Sequence, residues 1–371
     1  MARTVLRRDV LRGTAALAGL ALTGGLLSRK RALAASLQVP TIDKLSMQVL
    51  LDSSHDIFMR PSEVKGVAHQ PPGAGRGADY RRTLHNQWGL SLYLQSEIGG
   101  AQRTLMLDFG YSPEALVNNI EILKVDPSRI EALIVSHGHY DHFGGLLGFL
   151  SKYRSVLPPA VTLYAGGEDN FCHRYGGAPG QLTDFGMLDR RELTAQKLTT
   201  VLCEKPTLIG GHAFTTGTIE RRSIERVLPN SLVEFALKDG AGCDAKSYLT
   251  ADKIGKIVPD EHLHEHATCF NLKGRGLIVI SSCGHVGIVN SVRQAQHVSG
   301  IERVHAIVGG FHLGPAPKEY LGQVVDELAK LTPDVVIPMH CSGANFIQAV
   351  REKMPDNLLV PTTGSRLTFS A

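Results

Sequence analysis

One run constrains this chain more than any other: Ser136-His137-Gly138-His139-Tyr140-Asp141-His142-Phe143-Gly144-Gly145. Three histidines and an aspartate fall within six residues. Directly upstream, Ala132-Leu133-Ile134-Val135 reads as a buried strand. The polar groups therefore sit on the turn that leaves a strand, with two glycines and an apolar stretch behind them. Imidazole nitrogen and carboxylate oxygen are donors that zinc, iron and manganese accept near neutral pH. The His-x-His pair can aim two side chains at one ion, and the Asp-His pair can serve a second ion close by. A surface loop that merely happens to be histidine-rich would not place each residue type where a metal site needs it.

Around this run, apolar segments alternate with helical patterns. Strands are expected at 46–51, 90–94, 104–107, 161–164, 276–280, 304–308 and 334–338. Helices are expected at 112–123, with Ser112 as cap, and at 144–153, 286–298 and 317–331. Such alternation defines a mixed α/β class. Histidines recur just past strand ends, as His285, His312 and His340. These turns can meet at one edge of a sheet, which places His312 in a pocket, where it binds substrate. Residues 60–84, rich in Gly, Pro and Arg, read as a long loop. Residues 166–260 are the least regular and read as a loop-rich insertion near the active site. The alternation in His262-Leu263-His264-Glu265-His266 would put three histidines on one face of an extended strand. They are expected at the pocket rim or surface, with His266 also a candidate ligand.

The His-x-His-x-Asp-His run resembles the signature of the metallo-β-lactamase superfamily, and the resemblance extends from about residue 45 to the end. It implies an αββα sandwich with metals at the shared sheet edge. It also implies His137, His139, Asp141 and His142 as ligands, completed by a further histidine, a bridging acid and a last histidine. His340 matches the last histidine. Where relatives carry Gly-Asp at a strand end, this chain has Ser282-Cys283, and His285 follows two residues later. Either Cys283 or His285 can complete the site. His285 is preferred as ligand, because exported thiolates are prone to oxidation. Asp108 matches an early aspartate that orients a ligating histidine.

Further motifs narrow the resemblance: Gly89-Leu90-Ser91, Leu107-Asp108-Phe109-Gly110, Ser282-Cys283-Gly284-His285, Gly309-Gly310-Phe311-His312 and His340-Cys341-Ser342-Gly343. Together they resemble the subgroup named 7,8-dihydropterin-6-yl-methyl-4-(β-D-ribofuranosyl)aminobenzene 5′-phosphate synthase. The cofactor expected is a pair of divalent ions, zinc first, with iron or manganese as alternatives.

The first 34 residues differ in kind. Arg7-Arg8-Asp9-Val10-Leu11 precedes an apolar stretch from Gly13 to Leu27, then Arg29-Lys30-Arg31 and a small-x-small Ala32-Leu33-Ala34. This resembles a twin-arginine export signal, and implies that export machinery as a partner and a periplasmic or otherwise exported product. The segment holds seven basic residues and one acid, a net of +6, against +4 for the whole chain. The remaining 35–371, read as one domain, is therefore slightly acidic. The apparent basicity gives no argument for nucleic acid. No apolar run is long enough for an ordinary membrane span. Six cysteines permit disulfides without demanding them. Cys283 and Cys341, beside motif histidines, read first as site residues.

The function expected is an exported metal-dependent hydrolase. A metal-activated hydroxide would attack an ester, lactone, amide or phosphoester, oriented by Asp141 and assisted by His312. Two alternatives stand beside it. One is a dihydropterin transferase; the other is a metal-loaded binding protein without turnover. The substrate is a small molecule, with a phosphorylated or pterin-like compound as the subgroup's suggestion.

Overall fold

Short runs of Val, Ile, Leu and Met become strands buried on both faces, because each face meets another layer. In the computed structural model, residues 37–73, 81–178, 180–229, 231–244, 246 and 249–371 are described. The N-terminal segment read as an export signal lies outside the described residues.

Two large sheets stack face to face. Among the described residues the first has nine strands, with Ala132–Val135, Ala101–Leu107, Ser91–Ile98 and Lys44–Leu51 consecutive near its middle. The second has seven and runs through Thr268–Leu272, Gly276–Ser281, Val304–Gly309 and Val335–Pro338. Between the sheets lies a core that includes Met47, Leu92, Ile134, Phe270, Ile280 and Phe369. The outer face of the first sheet buries Phe109, Leu116, Phe149 and Leu150 beneath helices Pro113–Ile122 and Leu146–Tyr153. The outer face of the second packs under Ile288–Ser299, Lys318–Lys330 and Ala344–Lys353, with Val292, Val325 and Phe346 fully or almost fully buried. The layers are helix, sheet, sheet, helix: the αββα sandwich the motifs imply.

Register decides where the site forms. Gly276–Ser281, Val304–Gly309 and Val335–Pro338 are parallel, with Ser281 opposite Gly309 and Gly309 opposite Pro338. Their carboxyl ends are therefore level, and the turns carrying His285, His312 and His340 leave the same edge. In the first sheet, Leu107 pairs in parallel with Ile134. That sets Asp108 beside the turn that opens at Ser136. Open α/β sheets collect ligands at the carboxyl ends of their strands for this reason.

Three sequence expectations change. The loop at 60–84 contains a hairpin, Ser62–Val64 with Val67–Gln70, closed by Lys65 and Gly66 at φ 51° and 85°. Two positive φ values in a two-residue turn match the right-handed twist of the strands. The short strands lie among glycines and prolines that mask them. The 166–260 insertion is not loop alone. It contains an antiparallel sheet of His173–Ala178, Gln181–Gly186, Leu232–Glu234 and Ile257–Pro259, and a disulfide joins Cys172 to Cys243 across 71 residues. Finally, residues 262–266 form a turn, not a strand, with the Glu265 amide donating to the His262 carbonyl at 3.0 Å. The alternation was too short to fix the period, and all three histidines are buried, away from surface or rim.

Candidate metal centre

The metal loop is held from behind before any ligand is considered. Asp108, at φ 58°, ends its strand in a left-handed turn. Its carboxylate accepts from the Ser136 amide at 2.8 Å, the Ser136 hydroxyl at 2.7 Å and His142 Nδ1 at 2.8 Å. Gly138 is pinned from the other side. A Cβ there would overlap the Arg174 guanidinium and the Asn170 carbonyl, so only glycine lets the loop lie this close. The Gly138 amide donates to His264 Nε2 at 2.8 Å, and His264 Nδ1 meets Asp169 at 3.1 Å. Arg174, fully buried, closes the cluster on Asp260 at 2.8 Å.

One of these contacts fixes a tautomer. The Ser136 hydroxyl donates to Asp108 and lies 3.0 Å from His137 Nδ1, which places the His137 proton on Nδ1. His137 Nε2 is buried and, among the described residues, has no hydrogen-bond partner. His139 Nε2 meets the Ser231 hydroxyl at 2.9 Å. Burial holds both imidazoles well below the usual histidine range, and neighbouring histidines add to the effect. Neutral imidazoles with aimed lone pairs are what a divalent ion binds.

The ligand atoms fall into overlapping groups. His137, His139 and His285 bring theirs within 4.8 Å of one another; so do His137, His142 and Cys283, and also Cys283, His340 and Cys341. Asp141 Oδ2 lies 3.2 Å from His340 Nε2 and 3.6 Å from His142 Nε2, while those two nitrogens are 3.3 Å apart. The His142 proton is committed to Asp108, so three acceptors converge on one point that a positive charge must bridge. Of the three, His340 can carry that charge as a proton. Burial opposes that charge, but the Cys341 sulfur and Asp141 outweigh burial and hold His340 up at about 10. Asp141 is correspondingly held below the carboxylate range: burial pushes it up, and His142 and His340 pull it down further. The nitrogen, oxygen and sulfur donors present fit zinc and its neighbours.

The structure thus brings together His137, His139, Asp141, His142, His285 and His340. It does not force a choice between Cys283 and His285: each joins a separate ligand group, and the two also share one with His312. His312 sits at the same edge, with Nδ1 3.7 Å from Cys283 Sγ and its ring 4.2 Å from that of His285. His266 instead turns Nε2 to the Val135 carbonyl at 3.1 Å. Several contributors carry no motif signal. Asp52 accepts from the His340 amide at 2.7 Å, and Ser53 meets His340 Nδ1 at 3.1 Å. Buried Glu265 accepts from the His285 and Val286 amides. Trp88 was missed as well, although it is the sole tryptophan and adjoins Gly89-Leu90-Ser91. His312 and His340 have φ of 47° and 48°, backbone strain of the kind found at functional sites.

Fold and ligand geometry define a protein class, and comparison with known proteins agrees. The metallo-beta-lactamase superfamily profile matches residues 92–222 of the chain. The chain is similar to the 7,8-dihydropterin-6-methyl-4-(beta-D-ribofuranosyl)-aminobenzene-5′-phosphate synthase of Methanocaldococcus jannaschii, 27% identical over 72% of this chain and 84% of that one. A second protein of that organism, of uncharacterized function, is 25% identical over 65% of this chain and 80% of its own length. Among solved structures, a metal-dependent hydrolase of the beta-lactamase superfamily shares the fold, with a TM-score of 0.64, 21% identity, and coverage of 88% and 100% of the two chains. The superfamily usually binds divalent metals, and its members are generally enzymes acting on small molecules.

Proposed function

We propose that the chain is a dinuclear metal-dependent hydrolase of an ester, lactone, amide or phosphoester. The observation that carries this reading is the convergence of two ligand groups with Asp141 beside both His142 and His340. In this assignment His137, His139 and His285 would hold one ion and His142, His340 and Cys283 the second, with Asp141 available to both. A pair of divalent ions supplies an activated water and Lewis acidity for the developing oxyanion. The chain's residues do the rest. Asp141, kept ionised by its imidazole neighbours, accepts a hydrogen bond from the attacking water and orients it. His312 donates to the substrate oxygen on which charge develops. Asp108 and Ser136 hold the His142 and His137 rings in their ligating tautomers.

A second reading is supported by the similarity to the archaeal synthase: transfer of a pterin to a ribofuranosyl-aminobenzene phosphate. The pocket argues for the first. Among the described residues that line it there is no lysine or arginine to receive a phosphate. Export also favours hydrolysis, because phosphorylated biosynthetic intermediates belong in the cytoplasm. Arg7-Arg8 and the Cys172–Cys243 disulfide both support export.

The test is turnover on esters, lactones and phosphodiesters after chelation and after reloading with zinc, manganese or iron. The hydrolase reading expects activity on at least one substrate, lost with metal and restored by it. Condensation of a dihydropterin with the aminobenzene riboside phosphate, without any hydrolysis, would establish the transferase. Metal binding with no turnover of either kind would leave a binding protein.

A further inference from the structure

The chain contains one tryptophan, Trp88, and the residue is 55% exposed. Its position is nonetheless fixed. The next residue, Gly89, has φ 141°, and a Cβ there would come within 2.6 Å of the Asp141 carbonyl oxygen. The backbone beside Trp88 is thus seated on the metal loop. The Trp88 ring lies against the His340 imidazole, with centroids 4.8 Å apart and planes 55° apart. A second aromatic side chain, half-buried Phe185 on strand Gln181–Gly186, meets His139 edge-on at 5.4 Å and 69°. His139 and His340 belong to different ligand groups. One aromatic ring therefore stands over each half of the centre.

The space these rings border has a volume of about 170 Å³. An apolar cavity of about 150 Å³ is enough to take up benzene. Gly176 and Ser231 add little bulk to the wall, and no described lining residue is a lysine or an arginine. A charged or strongly hydrated substituent set against the two aromatic rings would lose water there. A flat apolar ring would gain contact with two aromatic faces or edges, beyond the burial of its area.

We propose that Trp88 and Phe185 form an aromatic clamp over the metal centre that selects substrates bearing a flat, uncharged aryl group next to the bond that is cleaved. The proposal rests on the hydrolase reading and names its substrate class. Aryl esters, aryl amides or aryl-substituted lactones meet the description.

Three carboxylates test it: benzoate, cyclohexanecarboxylate and acetate. Each presents the same head group to the metals, and only the attached group differs. Binding to zinc-loaded protein is measured by calorimetry, with zinc content determined on the same samples. The clamp expects benzoate to bind at least about tenfold tighter than acetate, and severalfold tighter than cyclohexanecarboxylate. Benzoate should also change the intrinsic indole fluorescence, which reports on Trp88 alone. In Trp88→Ala the benzoate advantage over acetate should fall to about twofold with zinc content unchanged, and Trp88→Phe should keep most of it. Phe185→Ala should lose part of the advantage while leaving the indole signal readable. Equal binding of benzoate and acetate overturns the clamp. Equal binding of benzoate and cyclohexanecarboxylate overturns the flat-ring class. So does a benzoate advantage that survives in Trp88→Ala. If zinc is retained and acetate binds without aryl preference, only the clamp fails. If zinc is not retained at all, the metal reading fails and takes the clamp with it.

Discussion

His139 and His312 lie at one sheet edge, but the geometry gives them different work. His139 sits in the loop that carries the ligands, with Nε2 on Ser231. His312 faces a sulfur and a neighbouring imidazole from the pocket side. His139→Ala should lose metal and activity together. His312→Ala should keep its metal and its fold and lose about 10²–10³ in rate, the usual effect of removing a donor aimed at developing charge. Metal analysis beside a rate measurement separates the two; metal loss in His312→Ala would make it a ligand. His266 allows a prediction on stability. Burial holds this imidazole down at about 4 against an ordinary 6.5, although its bond to the Val135 carbonyl works the other way. A histidine whose folded pKa is depressed binds fewer protons folded than unfolded in that window. Its stabilising contribution is therefore full above pH 6.5 and lost as pH falls towards 4, by about 3 kcal/mol in all. His266→Gln retains a donor for Val135 and should flatten this part of the denaturation-midpoint profile between pH 4 and 6.5. An unchanged profile would place the titration elsewhere.

The elements bring these residues together through strand register. The level ends of Gly276–Ser281, Val304–Gly309 and Val335–Pro338 converge three histidine turns, and the loop after Ala132–Val135 meets them from the facing sheet. Gly138 shows how tightly that loop is packed. Gly138→Ala would push a methyl into the Arg174 guanidinium, and overpacking of this kind costs about 1–3 kcal/mol. The expected result is a lower melting temperature together with weaker zinc retention. A variant that melts and binds zinc like the parent would show that the loop has room to shift. Much of this architecture was legible, because long apolar runs with flanking glycines report strands and Ser112 reports a helix start. The ligands were legible for a related reason: they cluster in sequence or sit one turn past a strand. What supports them was not. Asp52, Arg174, Asp260 and Glu265 are ordinary charged residues in sequence. Their roles arise only when chain segments up to hundreds of residues apart are folded together. The 262–266 segment misled for lack of length, since five residues of alternation fit a strand and a buried turn equally well.

At the scale of the whole molecule, the account joins a metal centre to a segment read as an export signal. Among the described residues no helix is long and apolar enough to cross a membrane. Replacing Arg7 and Arg8 by lysine should leave the precursor in the cytoplasm, as cell fractionation would show. Normal periplasmic accumulation of that variant would refute the route without touching the fold. The central claim is the dinuclear centre, and anomalous X-ray scattering at the zinc edge from zinc-loaded crystals tests it most directly. The account expects two peaks per chain, roughly 3.5–4 Å apart. One should be bonded to His137, His139 and His285, the other to His142, His340 and Cys283, with Asp141 between them. A single peak, two peaks held by other residues, or no zinc at the His137–His142 loop would contradict it.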